Sequence, residues 1–70
     1  MAVDVSKIVP GDRIKVKLYV WGSTIRGWRK VTGLWKEGIP MIRCNGTNEF
    51  IVRPHEILEH YSEKEKRIIS

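Results

Sequence analysis

A single cysteine, Cys44, leaves no partner for an intrachain disulfide, and a lone thiol fits a reducing compartment better than a secreted disulfide scaffold. No apolar run approaches the roughly 18 residues of a membrane-spanning helix, and none follows a basic N-terminal segment. A soluble, cytoplasmic protein with no membrane contact is therefore expected. Paired Cys-x-x-Cys and closely spaced His-x-x-x-His groups are missing as well. Cys44, His55 and His60 are dispersed, whereas a structural zinc needs about four ligands, so no metal is expected and Cys44 reads as a small core residue. Nor is there a Ser/His/Asp, paired-carboxylate or phosphate-loop pattern, since Gly22, Gly27 and Gly33 stand too far apart for a dinucleotide or Walker motif. These gaps point away from catalysis and from a cofactor. Repeats, linkers and low-complexity tracts are also lacking, and 70 residues leave room for one domain that buries only about 60% of its unfolded surface.

Basic charge, by contrast, is plentiful and unevenly placed. The net charge is +5. Residues 12–43 carry Arg13, Lys15, Lys17, Arg26, Arg29, Lys30, Lys36 and Arg43 against Asp12 and Glu37, a balance of +6, whereas residues 54–70 come to −1. Within the basic part, residues 13–21 alternate strictly. On a strand, successive side chains point to opposite faces, so Ile14, Val16, Leu18 and Val20 form half of a core. Arg13, Lys15, Lys17, Tyr19 and Trp21 then face outward.

Six glycines and three prolines punctuate the chain every few residues, which is the spacing of short strands in a small barrel or sandwich. Trp21, Trp28 and Trp35 stand seven apart, but the glycines between them would each cost a helix roughly 1 kcal/mol. A strand reading follows. Ile8 or Val9 plugs the barrel end, Pro10-Gly11 turns the chain, and strand one runs from Asp12 to Trp21. A flexible loop, Gly22 to Gly27, precedes strand two, Trp28 to Lys36, in which Val31 points inward and a bulge at Gly33 brings Leu34 inward too. Strand three spans Ile39 to Cys44. Asn45-Gly46 forms a tight hairpin to strand four, Glu49 to Arg53. Pro54-His55-Glu56 makes a 3₁₀ turn before a fifth strand, Ile57 to His60, which lies against strand one. Ser62-Glu63-Lys64-Glu65 fits a capping box that opens a short helix over about 62–69, packed on the barrel end or else binding a partner through an apolar stripe of Tyr61, Ile68 and Ile69, with Ile68 and Ile69 a self-association patch should it fray.

The run from Ile8 to Val16, then Trp28 to Trp35, Met41 to Cys44 and Phe50 to Leu58 resembles an SH3-like barrel of the KOW kind. The likeness lies in the Pro-Gly-Asp entry, the glycine-punctuated second strand, the hairpin and the proline-led turn before the last strand. It implies a mainly β fold, a five-stranded barrel with core 8–60 and a short C-terminal helix. It also implies binding of RNA, DNA or the transcription and translation machinery. Other SH3-like barrels bind peptides or oligomerise, and shape alone does not choose among these. The plasmid-borne type II dihydrofolate reductase shares the general shape, but its pore is lined by Val-Gln-Ile-Tyr where this chain has Phe50-Ile51-Val52-Arg53.

A non-catalytic nucleic-acid-binding module of weak sequence specificity is the functional expectation. Arg13, Lys15, Lys17 and Lys30 contact phosphates, Tyr19, Trp21 or Trp28 stack on bases, and Arg26 and Arg29 flank the Gly22–Gly27 loop where a phosphate approaches closely. Three tryptophans cannot all fit so small a core. The bland reading of the same residues is a solvated strand whose charges keep an exposed sheet edge from aggregating. The competing functional class is a protein-interaction or accessory module, of the sort a phage or mobile element encodes, using the same aromatic patch.

Overall fold

The computed structural model describes residues 3–20, 22–45 and 48–69, with the backbone alone for 20, 44 and 45. Among the described residues there are six strands, all paired antiparallel: β1 (Arg13–Val20), β2 (Ser23–Trp35), β3 (Ile39–Asn45), β4 (Asn48–Ile51), β5 (Ile57–Ser62) and β6 (Arg67–Ile69). Their order across the sheet is β4-β3-β2-β1-β5-β6, and it does not close: β4 and β6 are its edges. The 13-residue β2 serves both halves, pairing with β1 through residues 23–30 and with β3 through residues 31–35.

The alternation in β1 does what it dictates. Ile14, Val16 and Leu18 are buried and join Val3, Ile8, Val31, Ile42, Val52 and Ile57 in one core. Ile8, not Val9, supplies the plug; Val9 stays exposed. Single 3₁₀ turns at Val5–Lys7, Lys36–Gly38 and Pro54–Glu56 connect the rest. The Pro54–Glu56 turn is closed by the Glu56 carboxylate accepting from the Arg53 N–H at 3.0 Å.

Several expectations need correction. Residues 22–27 are not a flexible loop. Gly22 adopts φ +79°, a left-handed backbone that glycine takes at no steric cost, and Ser23 already pairs with Val20. Thr24 and Ile25 then lie opposite Tyr19 and Leu18, so pairing with β1 outweighs the loop-like composition. The bulge in β2 falls where expected, with the register shifting between Val31 and Gly33. A Cβ on Gly33 would come within 3.2 Å of the Met41 methyl. Leu34, however, lies opposite the buried Pro40 at the strand's end and remains 40% exposed, so it does not complete the core.

No C-terminal helix forms over 62–69. The capping signal is satisfied by a single turn, in which the Ser62 hydroxyl accepts from the Glu65 N–H at 3.2 Å and the Ser62 carbonyl from the Lys66 N–H at 2.7 Å. Lys66 then enters the left-handed region at φ +59°, which ends helical propagation. The chain returns as β6, whose Ile68 and Ile69 pair with Tyr61 and His60. The fold is thus six-stranded rather than five-stranded, and an open sheet rather than a closed barrel. The β3–β4 turn assigned to Asn45-Gly46 lies partly outside the described residues, although Asn45 does pair with Asn48.

Candidate nucleic-acid interface

Residues directly opposite each other in an antiparallel pair share a face. The β1–β2 register sets Arg13 against Lys30, Lys15 against Trp28, Lys17 against Arg26 and Tyr19 against Thr24. Seven of the nine candidate residues are thereby gathered on the outer face: Arg13, Lys15, Lys17, Tyr19, Arg26, Trp28 and Lys30. Of the two aromatic side chains there, Tyr19 is the more open, at 72%. Arg29 falls on the opposite face, across from the buried Ile14, where its guanidinium Nη1 donates to the Trp28 carbonyl at 2.9 Å. Trp21 lies outside the described residues.

β5 and β6 extend the face with residues that are not among the sequence candidates. Arg13 lies opposite Tyr61, which lies opposite Ile68, so Lys30, Arg13, Tyr61 and Ile68 form one row across four strands. The next row holds Trp28, Lys15 and Glu59, and the Lys15 ammonium meets the Glu59 carboxylate at 3.5 Å. Arg13, Trp28, Tyr61 and Ile68 line an open cleft of about 270 Å³. A strand that ends at His60 and gives way to a helix takes Tyr61 off this face, so the sequence places it in the apolar stripe of that helix instead. The signal that could have found it is the period-two pattern of Glu59 and Tyr61 against His60 and Ser62.

Electrostatically the face is under-compensated. Among the described residues, no acid forms an ion pair with Arg13, Lys17, Arg26 or Lys30. Glu63, in the turn after β5, feels two of them. The bond and attraction from Lys66 (2.8 Å), with smaller contributions from Arg13 and Lys30, hold its carboxyl below the ordinary glutamate value. Arg13–Lys30 and Lys17–Arg26 are like-charge pairs directly across from one another, an arrangement that destabilises a sheet.

A second titratable pair is buried behind the face. His60 Nε2 lies 2.7 Å from Asp12 Oδ2, and both side chains are almost fully enclosed. Of the other histidine and cysteine candidates, His55 is exposed on its 3₁₀ turn, and the Cys44 side chain lies outside the described residues. Among the described residues no three His, Cys, Asp or Glu side chains cluster as metal ligands, and no helix is long and apolar enough to cross a membrane.

The chain matches no protein-family model, no curated protein and no solved structure.

Proposed function

We propose that this protein is a non-catalytic nucleic-acid-binding module that captures the sugar–phosphate backbone on the β1–β2 face with weak sequence specificity. The observation that carries the reading is the gathering on one face of two like-charge cross-strand pairs, Arg13–Lys30 and Lys17–Arg26, none of whose four members forms an ion pair among the described residues. Edge protection does not account for Arg13, which lies between Lys30 of β2 and Tyr61 of β5, although Lys17 and Arg26 lie on the part of the β1–β2 hairpin beyond the pairing with β5 and β3. The like-charge pairs oppose folding locally, and an anionic ligand relieves them. Phosphate contacts position a backbone without reading bases, which is why specificity is weak. Release of condensed counterions supplies most of the affinity.

The strand order, with β5 returning alongside β1 after a proline-led turn, supports the finer reading of an SH3-like arrangement of the KOW kind. A salt titration of binding to DNA and RNA oligomers tests the function. Affinity on the order of micromolar at low salt, falling steeply as salt rises, is expected; no binding to either polymer at low salt would rule it out.

A protein-interaction role has separate support at the other end of the sheet. Trp35, Ile39, Met41 and Ile51 share one face there by register, with Trp35 44% exposed. An aromatic-anchored contact at that site would respond little to salt, so the same titration separates the two readings.

A further inference from the structure

We propose that the cleft between Trp28 and Tyr61 receives one unpaired base, so that the ligand of the basic face is a single strand rather than a duplex. This rests on the reading of that face as a nucleic-acid interface and specifies its ligand class. Trp28 on β2 and Tyr61 on β5 flank β1 in neighbouring rows, opposite Lys15 and Arg13, so their backbones are separated diagonally by about 12 Å. Two rings projecting from that separation form opposing walls wide enough for a flat heterocycle. Ile68, opposite Tyr61, lines the β6 side, and Arg13, opposite Tyr61 on β1, completes the lining. Every base has a π-face, so such a site takes any of them. The Arg13 guanidinium supplies a cation for the attached phosphate or a plane for further stacking.

The cations continue from the cleft in one direction. Arg13, Lys15 and Lys17 follow at every second position of β1, about 7 Å apart, with Lys30 and Arg26 beside the first and third. That line suits an extended backbone whose successive phosphates track the strand while one base turns into the cleft. A duplex keeps its bases stacked inside and presents only edges and phosphates, so it leaves the cleft unfilled. Direct duplex readout requires an element that enters a groove.

The test is a fluorescence-anisotropy titration of the full chain, at one low salt concentration, with four probes: oligothymidylate, oligouridylate, an equally long oligomer of abasic sites, and the oligothymidylate paired with its complement. Oligothymidylate or oligouridylate is expected to bind roughly tenfold or more tightly than the abasic oligomer and the duplex. Tyr61→Ala should remove that advantage while leaving abasic affinity and the salt slope unchanged. The comparison of base-bearing with abasic probes uses the unaltered protein, so it decides the matter even if the variant folds poorly. Equal affinity for base-bearing and abasic strands, or a preference for the duplex, overturns the base site but leaves the basic face standing as a binding surface. If none of the four probes binds, the reading of the face itself falls.

Discussion

His60 Nε2 and Asp12 Oδ2 meet at 2.7 Å across 48 residues of sequence, inside a domain that buries little else that is polar. The Asp12 carboxylate also accepts the N–H of Val9 at 3.3 Å and of Glu63 at 3.1 Å. One side chain thus joins the lead-in, the start of β1, the middle of β5 and the turn before β6. Since Arg13 follows Asp12 and Tyr61 follows His60, the pair also fixes where two walls of the cleft stand.

Removing one member strands the other in the interior. Asp12→Ala is expected to cost about 3 kcal/mol or more, because the imidazole and the Glu63 and Val9 N–H groups are deprived of their acceptor together. A chain of this length has roughly 4–10 kcal/mol in total. Urea denaturation measures it, and a drop of under about 1 kcal/mol would show that the Asp12–His60 bond is not structural.

The same carboxylate sets an acid limb. Burial pushes the Asp12 carboxyl up, but the bonds from His60, Glu63 and Val9, with the attraction of His60, outweigh it and leave the group below its ordinary 3.8. A depressed folded value means that the stabilisation is fully present above 3.8 and is lost as the pH falls through the folded value. The stability gap between the parent and Asp12→Asn should therefore narrow as the pH falls below about 3.8. A gap that persists unchanged into stronger acid would contradict this.

The hairpin at 62–69 makes a sign prediction at Lys66. Its φ of +59° is one that a β-branched residue resists and glycine accepts. Lys66→Gly should be neutral to stabilising, and Lys66→Val should cost about 1–2 kcal/mol. In a helix the glycine variant would instead be destabilised by about 1 kcal/mol, so thermal melts of the two variants distinguish the turn from the helix.

The strand register predicts that Val16→Asp unfolds the domain. Val16 is fully buried between Gly27 and Ile57, and an unpaired carboxylate there costs several kcal/mol. A circular dichroism spectrum and melting temperature like the parent's would mean that Val16 faces solvent.

What the chain makes legible is what local patterning controls. β1 has one face in the core and one in water, so its alternation reports both, and the seven outer residues follow once the register is known. Pro54–Glu56 is legible because proline sets its own backbone angle. The start of β2 is hidden because Gly22 and Ser23 look like a loop, and only pairing with β1 makes them otherwise. The end of the chain misleads for a related reason: Ser62 caps one turn in a helix and in this hairpin alike, and what decides between them is whether Ile68 and Ile69 find β5. The Asp12–His60 pair and the cleft join residues far apart in sequence, with no periodic signal to link them.

If the outer-face cations are kept for a polyanion at some expense to the fold, Lys17→Glu tests both halves of that statement at once. Opposite Arg26, the new glutamate turns a repulsive cross-strand pair into an attractive one, worth about 0.2–1 kcal/mol. The variant should be at least as stable as the parent and bind oligothymidylate more weakly, with a salt slope shallower by about 0.7 for each phosphate that is no longer neutralised. A variant that melts at or above the parent yet binds with the same affinity and slope would contradict the assignment of this face to a polyanion.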